Sequence, residues 1–107
     1  MITVAELREG LRKGGVCVVD VRELDEFSQG HIEGAVNIPL GKLVRDVGKG
    51  IVPQDREVVV HCRSGVRGEI AADFLEKRGF VKVKNLEGGY LAWLETPPLA
   101  SKSRKTI

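Results

Sequence analysis

The chain has 107 residues, 42% apolar and 30% charged, with a formal net charge of +2. That length bounds it to one domain with a real hydrophobic core, and so small a charge gives no footprint for nucleic acid. No apolar run reaches membrane-span length, so no membrane partner is expected. With only five aromatic residues, core filling falls to aliphatic side chains, valine above all.

Thr3 and Glu6 have capping-box spacing, and Val4, Leu7 and Leu11 recur on one helical face until Gly14-Gly15. Residues 16–21 form an almost continuous apolar run, as a parallel strand buried on both faces requires. Cys17 within it reads as a small core residue. Leu24 and Phe27 suggest a short helix closed by Gly30, and residues 31–39 read as a turn, a very short strand and a proline stop. Leu40, Leu43, Val44 and Val47 share a helical face that breaks at residues 48–50. A turn at Pro53-Gln54-Asp55 precedes a second buried strand at residues 58–61. Further on, Ile70, Ala71, Phe74 and Leu75 have the spacing of a packed helix, with Gly79 where a C′ glycine belongs. Residues 81–86 alternate apolar and basic, as a one-sided strand would. Gly88-Gly89 opens a last helix through Tyr90, Leu91, Trp93 and Leu94, stopped at Pro97-Pro98. Such alternation implies an α/β domain, a parallel sheet with helices on both faces. The domain is expected over residues 1–99. The basic tail over 100–107, with Ser101-Lys102-Ser103-Arg104-Lys105, reads as a solvated, frayed end.

Chemistry concentrates at Cys62-Arg63-Ser64-Gly65-Val66-Arg67. Cys62 ends a strand, where open α/β sheets place their ligand sites. A helix N-terminus, converging loop N–H groups and the guanidinium charge of Arg63 and Arg67 are all expected to lower its pKa. Gly65 permits the positive φ that points N–H groups inward, and Gly68 permits close approach at the helix start. Two reactions share this architecture. Cys-dependent phosphatases use a longer loop and an acid that protonates the leaving alkoxide. Here only four residues, Arg63 to Val66, separate Cys62 from Arg67, and none is Asp or Glu. Attack on the outer sulfur of thiosulfate expels sulfite, which needs no general acid. The loop therefore fits sulfur transfer better than phosphate ester or arsenate chemistry. A binding or sulfur-sensing module whose thiol only docks a partner is the alternative from another class.

Along nearly its whole length the chain resembles a single-domain rhodanese-like sulfurtransferase. The resemblance rests on three ordered segments: Asp20-Val21-Arg22-Glu23 with Glu26-Phe27 and residues 30–39; Cys62 to Arg67; and Leu86-Glu87-Gly88-Gly89-Tyr90-Leu91-Ala92-Trp93. It implies a three-layer α/β fold with a five-stranded parallel sheet. It also implies that Cys62 takes sulfane sulfur from a small anionic donor, thiosulfate or a persulfide, and becomes a persulfide itself. The sulfur then passes to cyanide, a thiol or an acceptor protein. In this scheme the N–H groups of Arg63, Ser64, Gly65, Val66 and Arg67 cradle the charge, Arg63 and Arg67 hold the donor's sulfonate end, and no metal or organic cofactor takes part. Position 68, often serine in the family, is Gly68, and the glycine common before the final proline turn is missing.

Asp20 and Arg22 leave the neighbouring strand on the same edge as Cys62. The resemblance suggests that they line or brace the pocket, while the residues alone equally admit pairing with each other or with Glu26. His31 is expected to brace a loop and His61 to hydrogen-bond beneath the catalytic loop; Tyr90 and Trp93 are expected as core anchors. Cys17, Cys62, His31 and His61 lack metal-ligand spacing, so no metal site is expected. Nothing after Met1 reads as a secretion signal, so free thiols and a cytoplasmic setting are expected.

Overall fold

A computed structural model describes residues 1–97; the expected tail over 100–107 lies outside the described residues. Its helices and strands alternate: α1 (Val4–Lys13), β1 (Val16–Asp20), α2 (Leu24–Ser28), β2 (Val36–Asn37), α3 (Leu40–Asp46), β3 (Glu57–His61), α4 (Val66–Lys77), β4 (Val83–Asn85) and α5 (Gly89–Glu95). A 3₁₀ turn, Val47–Lys49, extends α3.

Local chemistry sets the helix ends. Thr3 accepts from the Glu6 N–H while the Glu6 carboxylate accepts from the Thr3 N–H, the reciprocal cap read from the sequence. At the far end of α4, Gly79 takes φ +94°, its N–H donating to Glu76 and that of Phe80 to Leu75. These two bonds satisfy carbonyls that the helix end would otherwise orphan.

The four strands are parallel, in the order β2-β1-β3-β4. Valine side chains alternate across the sheet. Val58 and Val60 of β3 enter one core with Leu43 of α3 and Ala71 and Leu75 of α4. Val59 enters the other, with Val4 and Leu7 of α1, and Tyr90 and Trp93 of α5 packed against it. Buried strands of this kind must be apolar on both faces, which is why the valine runs are unbroken. Helices thus cover both faces in three layers.

Several expectations need correction. The sheet has four strands rather than five. The fifth position holds only a bridge between Ile2 and Leu86, because Thr3 already caps α1 and leaves no length for a ladder. The strand expected over 81–86 shortens to Val83–Asn85, with Val81 84% exposed and Lys82 outside the strand. Ile70 faces outward at 52% exposure and Ala72 takes the inward position, so α4 is rotated relative to the reading from spacing. Its N-cap is Gly65, three residues before Gly68.

Candidate active site

The inner strands β1 and β3 deliver Asp20 and His61 side by side at the carboxyl edge of the sheet. One residue further, Cys62 is buried, 1% exposed, among the apolar side chains beneath α4. Besides those side chains it meets atoms that the loop turns toward it.

Gly65 supplies one of those atoms. Its N–H donates to Cys62 Sγ at 3.0 Å, in a backbone conformation with φ +124° that a side chain rarely tolerates. The Gly65 carbonyl in turn accepts from the Glu69 N–H at 2.9 Å, which ties the turn to the first helical bond of α4. The sulfur therefore sits against the N-terminal end of a 12-residue helix, where backbone N–H groups and the helix dipole favour negative charge.

The carbonyl groups of Cys62 and Arg63 point elsewhere. They accept from Tyr90 N–H at 2.8 Å and Leu91 N–H at 3.1 Å, the leading amides of α5. Gly89 makes this docking possible. It holds φ +63°, and a Cβ there would stand 2.5 Å from the Arg63 oxygen and 2.7 Å from the Cys62 oxygen. With these two carbonyls drawn off by α5, the Gly65 N–H is the donor that meets the sulfur.

Arg67 is clamped from outside. Its two terminal nitrogens meet the Glu26 carboxylate at 2.8 and 3.1 Å, with both side chains about one-third exposed. The Arg67 guanidinium, the Glu23 N–H and neighbouring positive charge hold the Glu26 carboxyl down at about 2. Arg63, by contrast, is exposed and makes no ion pair among the described residues.

Asp20 and Arg22 pair with each other. Asp20 is fully buried and takes Arg22 Nη2 at 2.7 Å and Nε at 2.9 Å, besides the Arg22 N–H at 3.0 Å. Arg22 also donates to the Gly30 carbonyl at 2.8 Å and lies over the Tyr90 ring, 4.5 Å from its centroid. The pair thus braces Tyr90, whose N–H holds the Cys62 carbonyl. His61 is fully buried, with Nδ1 donating to that same carbonyl at 3.2 Å; burial pushes its pKa down, against the opposing effect of Asp20. His31 Nδ1 meets the Phe27 carbonyl at 2.8 Å and its ring stacks on Phe27, a loop brace. Cys17 is half-buried against the core, which raises its pKa.

A depression of about 260 Å³, lined by Arg22, Glu26, Arg63, Tyr90, Leu91 and Leu94, opens beside the loop. A larger groove of about 730 Å³ between α4 and β4 carries no thiol, so size does not mark the site.

Three contributors were not legible beforehand. Glu26 stood in a quoted segment, but its partner lies 41 residues away. The role of α5 had one signal, a glycine pair before an aromatic residue, which marks positive φ and close approach. Asn85, whose Nδ2 donates to the Gly65 carbonyl at 3.2 Å, gave no signal beyond a polar residue ending a strand.

Residues 3–96 match the rhodanese-like domain family. The chain is 41% identical over 92 residues to the uncharacterized protein YqhL of Bacillus subtilis, an alignment that spans 86% of this chain and 70% of that one. It is 35% identical over 94 residues to the thiosulfate sulfurtransferase GlpE of Shewanella oneidensis, spanning 88% of this chain and 91% of that one. Among solved structures, the human single-domain sulfurtransferase TSTD1 superposes with a TM-score of 0.82 at 28% identity, covering 92% and 97% of the two chains.

Proposed function

The chain belongs to the rhodanese-like domain family, and on that premise we propose that it moves sulfane sulfur through a persulfide on Cys62. The Cys62 thiolate attacks the outer sulfur of thiosulfate. A sulfur–sulfur bond forms as the sulfur–sulfur bond of thiosulfate breaks, and sulfite leaves with the electron pair. An acceptor nucleophile, such as cyanide, a thiol or the cysteine of an acceptor protein, then attacks the terminal sulfur and returns the Cys62 thiolate. The first step needs no proton transfer, and neither does the second when the acceptor is cyanide anion or a thiolate.

The observation that carries this reading is the donor-lined loop: Gly65 N–H on the sulfur, and the Cys62 and Arg63 carbonyls held away by α5. Fixed dipoles aimed at a developing negative charge need no reorganisation as the persulfide anion forms. The amides of Ser64, Val66 and Arg67 complete the cradle in this scheme. Arg63, exposed and unpaired, meets the sulfonate end of the donor; Arg67, already held by Glu26, adds positive charge while fixing the loop. A persulfide donor would use the same cradle without the sulfonate contact. A reducing, cytoplasmic setting suits the chemistry, and Cys17 and Cys62 are both free thiols.

Phosphate ester hydrolysis fits less well. It requires a protonated acid for the leaving alkoxide, and Glu26, the carboxylate bound to the loop arginine, is held at about 2 and is ionised at neutral pH.

The test is thiocyanate formation from thiosulfate and cyanide by the wild-type chain and by Cys62→Ala. Turnover that vanishes in Cys62→Ala supports the proposal. A wild type that turns over neither thiosulfate nor a small persulfide leaves the binding module as the better reading, and turnover that survives in Cys62→Ala removes Cys62 from the chemistry.

A further inference from the structure

Asn85, the last residue of β4, is buried at 6% exposure beside the loop. Its backbone belongs to the sheet edge, where its carbonyl accepts from the Ile2 N–H at 3.0 Å. Its side chain crosses to the loop, and Nδ2 donates to the Gly65 carbonyl at 3.2 Å. The opposite amide orientation would set two acceptors against each other, so that carbonyl fixes which atom is nitrogen. Oδ1 then points inward and is buried with no hydrogen-bond partner among the described residues.

Oδ1 occupies the space where residue 68 would carry a side chain. A Cβ on Gly68 would stand 2.2 Å from Asn85 Oδ1, 3.1 Å from its Cγ and 3.5 Å from the Cys62 amide nitrogen. Gly68 is not among the positive-φ residues, so no backbone twist demands glycine there. A Cβ there would instead push the Asn85 amide aside. A buried amide with one unpaired end is uncommon, and its other end is spent on one carbonyl only.

That carbonyl belongs to the residue whose N–H meets the sulfur. Gly65 sits at φ +124°, a conformation glycine leaves readily, and its N–H direction turns with that torsion. We propose that Asn85 is the positioning residue that holds Gly65 with its N–H aimed at Cys62 Sγ, and that position 68 is glycine to admit it. The inference deepens the sulfur-transfer reading and names a residue outside the loop that tunes its nucleophile. The Glu69 N–H bond to the same carbonyl fixes the helix start; Asn85 adds the second anchor, from the sheet side.

The probe is iodoacetamide, with alkylation of Cys62 followed by peptide mass so that Cys17 is scored separately. Asn85→Ala slows Cys62 alkylation at neutral pH by about tenfold, the scale of one oriented hydrogen bond to an anionic sulfur. Cys17 alkylation in the same samples stays at the wild-type rate; a general loosening of the fold would speed it. Asn85→Asp, which keeps the size but replaces the donor with an acceptor, slows it at least as much and guards against collapse of the smaller variant. Gly68→Ala displaces the Asn85 side chain and gives the same slowing. The double variant Asn85→Ala with Gly68→Ala is no slower than either single, because both act through one contact. Wild-type alkylation in Asn85→Ala and Asn85→Asp, or deficits that multiply in the double variant, overturn the proposal. If the wild type makes no thiocyanate, the sulfur-transfer reading fails, while alkylation still decides the role of Asn85.

Discussion

Replacing Glu26 by glutamine removes the anion that clamps Arg67 and keeps the shape of the side chain. Its carboxyl is held at about 2, against an ordinary 4.5, chiefly by the two contacts from Arg67. At about 1.4 kcal/mol per pH unit that difference sets a ceiling of roughly 3 kcal/mol on what ionised Glu26 adds to the folded state. Both side chains are about one-third exposed, so solvent screens the pair and a net contribution of about 1 kcal/mol is expected. For a domain of this size that corresponds to a fall of roughly 4–8 °C in melting temperature. The sign of the pH dependence follows from the lowered value. The stabilisation is complete above about 4.5, where Glu26 is ionised in both states, and is lost as pH falls toward about 2. Thermal melts of wild type and Glu26→Gln at neutral pH and across the acid range read this directly. The two curves lie apart at neutral pH and converge below about pH 4.5. No gap at neutral pH, or one of constant size throughout, refutes the reasoning.

Gly89→Ala forces a Cβ against the Cys62 and Arg63 carbonyls at a positive-φ position. It should cost about 1–3 kcal/mol in denaturant unfolding and depress sulfur transfer further by turning the loop carbonyls inward; wild-type turnover in this variant contradicts the role given to α5. If Arg63 meets the sulfonate end of the donor as proposed, Arg63→Ala raises the KM for thiosulfate more than it lowers kcat, and the KM for a persulfide donor without a sulfonate stays near wild type. His61, with its pKa pushed below 6.5 by burial, is neutral in both states above that pH. Below it the unfolded chain takes up a proton that the folded chain refuses, so stability falls from about pH 6.5 downward. An imidazole resonance for His61 that titrates above 6.5 contradicts this.

What could be read from the sequence was either local or strictly periodic. The Thr3–Glu6 cap needs only three residues of separation, and the valine runs of β1 and β3 declare strands buried on both faces. The reactive thiol was legible because its loop is contiguous. The pairing of Arg67 with Glu26, by contrast, joins α4 to α2 across 41 residues, and no spacing rule connects them. Asp20 and Arg22 were visible as a pair but not as the support for Tyr90, which depends on α5 folding back over the loop. Ile70 faces outward because the buried face of α4 runs through Gly68, Ala71, Ala72 and Leu75, and a glycine contributes nothing to an apolar spacing pattern. Asn85 and Gly68 are the clearest case of hidden dependence. One looks like an ordinary strand-ending polar residue and the other like a weak helix start, and nothing in their spacing shows that the Asn85 amide fills the space a side chain at 68 would need.

The central claim is that Cys62 carries sulfur covalently within this loop. Intact mass after brief exposure to thiosulfate, followed by removal of the donor, tests it most directly. The wild type is expected to gain one sulfur atom, a gain reversed by cyanide and absent from Cys62→Ala. An unchanged wild-type mass, or the same gain in Cys62→Ala, contradicts it.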